Sequence, residues 1–192
     1  MSTALRKPMS LEEFLAWEET QELRYEFDGW HPVAMTGGTL AHELICGALR
    51  AALRDKLRGK PCQAVGPTLK IEVAGKIRYP DAFIYCSAPD PKATVIRGPV
   101  VVFEVLSPGT SRTDRYEKLR EYQTTPSIQR YVILEQDTMG ATSFSREGDA
   151  WMARPIFAND TLEIPEASIS IPLRDIYADV EVPETSDDAE SG

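Results

Sequence analysis

The sequence predicts an α/β domain in which helices and short strands share one chain, and three observations indicate it. Apolar residues recur at helical spacing over 39–58, whereas residues 81–87 and 100–106 form short, almost continuous apolar runs. Runs of that kind are typical of strands that are covered on both faces. Beyond residue 140 the pattern changes to short strands joined by tight turns, which predicts an antiparallel C-terminal extension.

Length and composition indicate the domain organisation. A chain of 192 residues fits one domain that can bury a sizeable core without a structural metal or a disulfide. Hydrophobic residues make up 42% and charged residues 27%, as in ordinary globular proteins. We predict a flexible leader over 1–9, a single domain over 10–180, and an acidic, disordered tail over 181–192. No apolar run approaches about 18 residues, so the sequence predicts no membrane span.

The formal net charge of −9 bears on the class of partner. A domain built mainly for tight nucleic-acid binding is usually basic. The acidity therefore disfavours strong nonspecific affinity for DNA, although it does not exclude a local basic groove.

The cysteines bear on the redox compartment. Cys46, Cys62 and Cys86 lie far apart, are odd in number and include no Cys-x-x-Cys pair. This spacing supports neither a zinc site nor a disulfide framework. The N-terminus also lacks the apolar run of a signal peptide. We therefore expect a reduced, cytoplasmic chain.

The N-terminal third is predicted to contain a helix over 11–18, a hairpin over 25–35 and a long helix over 39–58. Ser10 and Glu13 form a capping-box pattern ahead of the first helix. Asp28-Gly29 between two strand-like runs is a strong hairpin signal. Thr39 is a suitable N-cap for the long helix, which the Gly59-Lys60-Pro61 segment ends.

The remaining elements are mostly strands, predicted over 68–73, 76–78, 81–87, 100–106 and 130–135, with a loop over 88–98. Asp114 and Glu117 can cap a helix that runs to about Tyr122. The C-terminal extension is predicted to hold a hairpin over 141–156, short strands over 162–164 and 168–171, and a helical turn over 173–177.

Two of the apolar strands each carry a carboxylate, Asp81 in one and Glu104 in the next. A carboxylate in an apolar strand is costly unless a partner or a metal offsets its desolvation. Strand alternation puts Glu104 on the face opposite Phe103 and Val105. If Asp81 lies on the neighbouring strand and points the same way, the two carboxylates converge, as Mg²⁺ prefers. Such an ion could acidify a water and neutralise charge on a phosphoryl group, with a nearby lysine assisting.

Ordinary structural explanations stay open at this point. Asp81 could end a turn, and Glu104 could pair with a core arginine. Lys118 could belong to a plain surface pair on its helix, which would contribute only about 0.2–0.5 kcal/mol. Glu26 lies near the hairpin turn and could be a solvated edge residue, and His42 could be a hydrogen-bonding residue at a helix terminus.

The motifs, in their order along the chain, resemble the PD-(D/E)XK nuclease superfamily and, more narrowly, the bacterial putative restriction endonuclease family of the Uma type. The resemblance covers roughly residues 9–178. It implies a restriction-endonuclease-like α/β core, with a central mixed sheet flanked by helices, and Mg²⁺-dependent hydrolysis of phosphodiester bonds in DNA. The motifs that carry it are Tyr25-Glu26, Asp28-Gly29, Ala41-His42, Pro80-Asp81, Glu104 within Phe-Glu-Val-Leu-Ser-Pro, and Asp114 with Lys118 and Tyr122.

Carried over onto this sequence, the resemblance implies that Asp81 and Glu104 are metal ligands, with Mn²⁺ as an alternative to Mg²⁺. It further implies that Glu26 is a catalytic acidic residue and that Lys118 is the catalytic lysine. It is compatible with a homodimer, because many nucleases of this fold cut both strands as pairs.

One departure from the superfamily pattern concerns the lysine. That residue usually stands two positions after the glutamate, where this chain has Leu106. Lys118 on the following helix is the matching candidate, and Lys70 is the fallback. The departure supports an alternative hypothesis, a catalytically inactive nuclease-like fold that acts as a nucleic-acid-binding or assembly module. His42 matches a histidine of the family to which we assign no chemical role.

Overall fold

The computed structural model describes residues 8–35, 37–88, 90–106 and 112–185, and for residues 112–115 it describes the backbone alone. The helices are α1 (Leu11–Glu18), α2 (Leu40–Lys56), α3 (Arg112–Thr124) and α4 (Leu173–Ile176). The strands are β1 (Tyr25–Phe27), β2 (Pro32–Ala34), β3 (Gln63–Val65), β4 (Lys70–Val73), β5 (Lys76–Arg78), β6 (Ala82–Tyr85), β7 (Val95–Ile96), β8 (Val101–Val105), β9 (Arg130–Leu134), β10 (Ala141–Glu147), β11 (Ala150–Ile156), β12 (Thr161–Ile164) and β13 (Ile169–Pro172).

A six-stranded central sheet organises the molecule, with the strand order β11-β10-β9-β8-β6-β3. Strands β8 and β9 run parallel, with α3 between them in the chain, and the other neighbours run antiparallel. The sheet is therefore mixed, and the predicted fold class is confirmed. The C-terminal extension continues one edge of this sheet as the β10–β11 hairpin and adds a separate β12–β13 pair.

The two faces of the central sheet bury different partners. Side chains of α2 such as Ile45 and Leu49 join Phe103 in one core cluster, together with residues of β12, β13 and α4. On the opposite face Tyr122 of α3 packs edge-on against Tyr131, with ring centroids 4.8 Å apart. Because side chains alternate along a strand, both faces of the buried strands are apolar, as the continuous apolar runs predict.

A second, five-stranded sheet, with the order β2-β1-β5-β4-β7, was not predicted from the sequence. The β4–β5 turn is tight, with positive φ angles at Ala74 and Gly75. Strand β1 then pairs antiparallel with β5, with Phe27 opposite Ile77. Helix α1 covers this sheet through Phe14, which is fully buried and stacks on Phe27.

Most predicted helices and strands are confirmed within a few residues. Ser10 and Glu13 form the predicted capping box, and the Thr39 side chain accepts a hydrogen bond from the His42 backbone N–H. The predicted cap at Asp114 is wrong, because α3 begins at Arg112 and Asp114 lies inside its first turn. Strands β3 and β7 were missed, and β7 lies inside the predicted 88–98 loop. With only three and two residues, these strands carry too little alternation to be recognised.

The expectation of a fully reduced chain is wrong in one respect, because Cys62 and Cys86 form a disulfide. Strands β3 and β6 pair antiparallel with Gln63 opposite Tyr85, so the cysteines flanking them face each other. The two cysteines are 24 residues apart in the sequence, so their spacing alone did not predict the disulfide. The third cysteine, Cys46, is a buried free thiol.

The structure describes only part of the predicted leader and part of the predicted acidic tail. Residues 1–7 of the predicted leader and 186–192 of the predicted tail lie outside the described residues. Before that point the chain contacts the domain, because the Met139 N–H donates to the Pro183 carbonyl at 2.7 Å and Arg174 pairs with Glu184. Within the described ranges, no helix is both long and apolar enough to cross a membrane.

Candidate active site

Four elements bring together the site residues that the sequence predicts. Strands β6 and β8 pair antiparallel with Ala82 opposite Phe103, so one step further along Asp81 lies beside Glu104. Residues directly opposite each other share a face of the sheet, and this face is the one that α3 covers. The Lys118 ammonium of α3 lies 3.4 Å from Glu104 Oε1 and 3.6 Å from Glu26 Oε1 of strand β1. The predicted convergence of the carboxylates is therefore present, with the lysine among them.

Glu104 is the most buried of these carboxylates, with 12% of its side chain exposed. The Tyr122 hydroxyl donates a hydrogen bond to its Oε1 at 2.9 Å. Burial raises the pKa of Glu104 to about 7; the Lys118 ammonium lowers it in part, and the negative charges of Asp81 and Glu26 raise it further. Desolvation therefore outweighs the stabilisation that the Lys118 ammonium gives to the charged form of Glu104.

Asp81 is held at the start of β6 by two neighbours. Its Oδ2 accepts a hydrogen bond from the Val105 backbone N–H at 2.8 Å and lies 3.4 Å from His42 Nε2. The hydrogen bond to Asp81 raises the pKa of His42, burial opposes that rise, and the nearby carboxylates support it. His42 therefore joins the site through Asp81, whereas the sequence assigned it no role.

Glu26 is anchored at both oxygens. Its Oε1 accepts a hydrogen bond from the Tyr79 backbone N–H at 3.2 Å, and its Oε2 contacts Arg78 Nη1 at 3.2 Å. Only 13% of its side chain is exposed, so it is not a solvated edge residue. The β1–β5 register explains the position, because pairing of Phe27 with Ile77 puts Glu26 beside Arg78.

The structural alternatives for the other predicted residues also have clear outcomes. The alternative for Glu104 was an ion pair with a core arginine, but its observed partners are Lys118 and Tyr122. Lys118 is 15% exposed and lies among the carboxylates, which differs from a plain surface pair. The fallback residue, Lys70, is buried against Glu18. Leu106, in the superfamily's lysine position, packs in the apolar cluster on the α3 face.

Sequence reasoning missed the residues that support the site from behind. Lys118 and Tyr122 are four residues apart on α3, so they lie on one helix face and both reach Glu104. That spacing could have assigned Tyr122 a role. Arg78 and Glu121 form a buried ion pair beside Glu26. No local sequence pattern predicts this ion pair, because Arg78 and Glu121 are 43 residues apart in the sequence.

The donor set determines which ions these residues could hold. Asp81, Glu104 and Glu26 offer carboxylate oxygens, which are the ligands that Mg²⁺ and Mn²⁺ prefer. Burial is the largest cause of the raised pKa of Glu104, and the negative charges of Asp81 and Glu26 add to it. A divalent cation would offset that charge, so the residues present fit such an ion.

Comparisons with known proteins bear on the family and the fold of this chain. The family model Uma2, described as a putative restriction endonuclease, matches residues 11–174. The uncharacterized protein slr1290 of Synechocystis sp. is 32% identical over 173 residues, which are 88% of this chain and 91% of that protein. The uncharacterized protein sll1609 of the same organism is 22% identical over 154 residues, covering 78% and 87% of the two chains.

A solved structure shares the fold. The crystal structure of a putative nuclease belonging to DUF820 from Anabaena variabilis superposes with a TM-score of 0.75. The match covers 89% of this chain and 98% of the other, at 15% sequence identity. At that identity the likeness establishes the architecture alone.

Proposed function

Because this chain belongs to the Uma2 family of putative restriction endonucleases, we propose that it is a metal-dependent endonuclease that hydrolyses phosphodiester bonds in DNA. The observation that carries the proposal is the meeting of Asp81, Glu104 and Lys118 at the junction of β6, β8 and α3. A buried pair of carboxylates beside a lysine is unfavourable for folding alone, and it suits phosphoryl chemistry.

Asp81 and Glu104 would hold Mg²⁺, with Mn²⁺ as a substitute. When bound, such an ion lowers the pKa of a coordinated water and neutralises charge that develops on the phosphate. The Val105 N–H fixes the Asp81 carboxylate, and the Tyr122 hydroxyl fixes Glu104, so both groups are oriented before substrate arrives. Preorganised charges of this kind cost no reorganisation during the reaction.

Lys118 would act on the phosphate or on the attacking water. Its ammonium is a compact point charge with three donors, and it lies between Glu104 and Glu26. The contact with Glu26 keeps Lys118 near the carboxylates, and Arg78 in turn keeps Glu26 in place. We therefore assign Glu26 the role of orienting the catalytic lysine.

The assembly and the location of the protein are further parts of the proposal. We propose a homodimer on DNA, because two paired sites can cut both strands in one encounter, and a cytoplasmic location, where a DNA substrate would be present. The net charge of −9 makes nonspecific affinity for DNA weak at physiological salt. Analytical ultracentrifugation with and without duplex DNA tests the dimer.

Cleavage of supercoiled plasmid with Mg²⁺ or Mn²⁺ tests the activity. Asp81→Asn, Glu104→Gln and Lys118→Met should each lower the rate by about 10²–10³-fold. Exposed residues of the same types give matched controls: Asp149→Asn, Glu163→Gln and Lys92→Met should cleave like the wild type.

The rival hypothesis, an inactive nuclease-like binding module, is supported by Leu106 in the superfamily's lysine position. It predicts no cleavage of any single- or double-stranded DNA by the wild type, with DNA binding or oligomerisation intact. That result would overturn the proposal, as would undiminished cleavage by Glu104→Gln.

A further inference from the structure

The side chains of His42, Cys46 and Asp81 lie close together and carry three different types of metal-ligand atom. His42 and Cys46 lie four residues apart on α2 and therefore on one face of the helix. A sulfur, an imidazole nitrogen and a carboxylate oxygen, from Cys46, His42 and Asp81, all lie within 4.8 Å of one another. The Cys46 Sγ lies 3.9 Å from His42 Nε2, and that nitrogen lies 3.4 Å from Asp81 Oδ2.

The same row of residues could be taken for a cysteine nucleophile with its histidine base. Burial argues against that function, because Cys46 is only 1% exposed and no reacting carbonyl could approach its sulfur. A function in which the sulfur faces inward fits the position better.

We propose that His42, Cys46 and Asp81 form a second metal site that takes a borderline-soft divalent cation of the Zn²⁺ class. Zinc–ligand bonds of about 2.0–2.3 Å in a tetrahedron place ligand atoms roughly 3.3–3.6 Å apart. The distances from His42 Nε2 are close to that range, so small side-chain shifts complete the site. Three protein ligands leave one position for water or another exchangeable group.

The local structure already orients two of the ligands. The Thr39 side chain caps α2 at the His42 backbone N–H, which fixes the first turn of the helix. Strand pairing and the Val105 N–H fix Asp81. The chain also provides nitrogen, sulfur and oxygen ligands together, a mixture that suits Zn²⁺ and not Mg²⁺.

Asp81 belongs to both this site and the proposed Mg²⁺ site. A zinc-class ion on His42 and Cys46 would therefore share or capture a ligand that Mg²⁺ needs, and micromolar Zn²⁺ would inhibit cleavage. This consequence rests on the proposed function, whereas the binding site itself does not. The two sites are separable, because Cys46 belongs only to the zinc site and Glu104 belongs only to the Mg²⁺ site.

Titration with Co²⁺, a spectroscopic substitute for Zn²⁺, tests the site without any nuclease assay. A cysteine thiolate bound to Co²⁺ gives a near-ultraviolet charge-transfer band, and we expect that band at one equivalent of metal. Cys46→Ser and His42→Asn should each weaken Co²⁺ and Zn²⁺ binding by at least about 100-fold. Loss of a ligand should cost more than loss of a residue that only hydrogen-bonds to a ligand. Glu104→Gln should keep the band.

The chain offers matched controls, since it has two histidines and three cysteines. His31→Asn and the double variant Cys62→Ser/Cys86→Ser should bind Co²⁺ like the wild type. Cys46→Ala serves as a second variant, and circular dichroism checks that each variant is folded. Absence of the band in the wild type would overturn the proposal. A band that is lost in the double cysteine variant but retained in Cys46→Ser would also overturn it. An inactive protein that shows the band would overturn the proposed nuclease function alone.

Discussion

Arg78 and Glu121 form a two-point ion pair between the second sheet and α3, with the Nε–Oε2 and Nη2–Oε1 distances both 2.7 Å. Their side chains are 5% and 7% exposed. Arg78 also contacts Glu26, and Glu121 lies on the same helix as Lys118. The guanidinium therefore ties the helix that carries the lysine to the strand that carries its carboxylate partner.

Removal of Arg78 should cost far more stability than removal of an exposed arginine. Arg78→Met leaves Glu26 and Glu121 with less compensation in a buried site, and we expect a loss of about 3–5 kcal/mol in the free energy of unfolding. The matched control is Arg97→Met, since Arg97 pairs with Glu72 in the same sheet but is 69% exposed. That variant should lose at most about 1 kcal/mol. Urea denaturation measures both, and equal losses would contradict the assignment.

Much of the site could be predicted because strand alternation is a local rule. The apolar run over 100–106 predicts a buried strand, and alternation places Glu104 on the face away from Phe103 and Val105, as observed. The order of the motifs supplied Asp81, Glu26 and Lys118. These residues follow from short segments in which pattern and structure agree.

The remainder depends on contacts between distant segments. The second sheet forms because β1 pairs with β5, some fifty residues away in the sequence, and three-residue strands carry almost no pattern. The Arg78–Glu121 pair and the Cys62–Cys86 disulfide likewise arise from tertiary pairing. Sequence spacing alone cannot choose between such partners and an ordinary exposed position.

The raised pKa of Glu104 makes a prediction about stability and pH. Its folded-state pKa, about 7, lies above the ordinary value of 4.5. Between those values the folded state binds more protons than the unfolded state, so this group's contribution to stability falls as the pH rises. Glu104→Gln should therefore be more stable than the metal-free wild type at pH 8, by at most roughly 3 kcal/mol.

The difference should disappear below the unfolded pKa, where both side chains are neutral. Denaturant unfolding in chelator at pH 8 and pH 4 measures it, with the exposed Glu163→Gln as the control. Added Mg²⁺ should stabilise the wild type and leave Glu104→Gln unchanged, because the ion would bind the folded state through the Glu104 carboxylate. A variant that is less stable than the wild type at pH 8 would refute this account.

The backbone of Asp81 packs so closely against Gly66 that a side chain at position 66 would collide with it. A Cβ at Gly66 would lie 2.3 Å from the Asp81 carbonyl oxygen and 2.9 Å from Arg50 Cδ. Arg50 can move, but the main chain of Asp81 would have to shift, and Asp81 is a proposed metal ligand. Gly66→Ala should therefore weaken Mn²⁺ binding and slow cleavage by about 10²-fold, the cost of a misplacement of about 1 Å.

The matched control is Gly47→Ala, inside α2, where a Cβ would meet nothing within 4 Å. It should leave metal binding unchanged and stabilise the helix by up to about 1 kcal/mol. Calorimetric Mn²⁺ titration of both variants separates the effects. Unchanged affinity in Gly66→Ala would mean that the close approach does not position the carboxylate.

The Cys62–Cys86 disulfide gives a prediction that bears directly on the expected reducing compartment. A cross-link over a separation of 24 residues should stabilise the fold by about 3 kcal/mol through the unfolded chain. Reductant should therefore lower the wild-type free energy of unfolding towards that of Cys62→Ser/Cys86→Ser, which should not respond. Alkylation of thiols in denaturant at lysis, before air can oxidise them, should modify Cys46 and leave the disulfide-bonded Cys62 and Cys86 unmodified. Alkylation of all three cysteines would instead mean that the chain is kept reduced in the cell, where the pair would face each other as thiols.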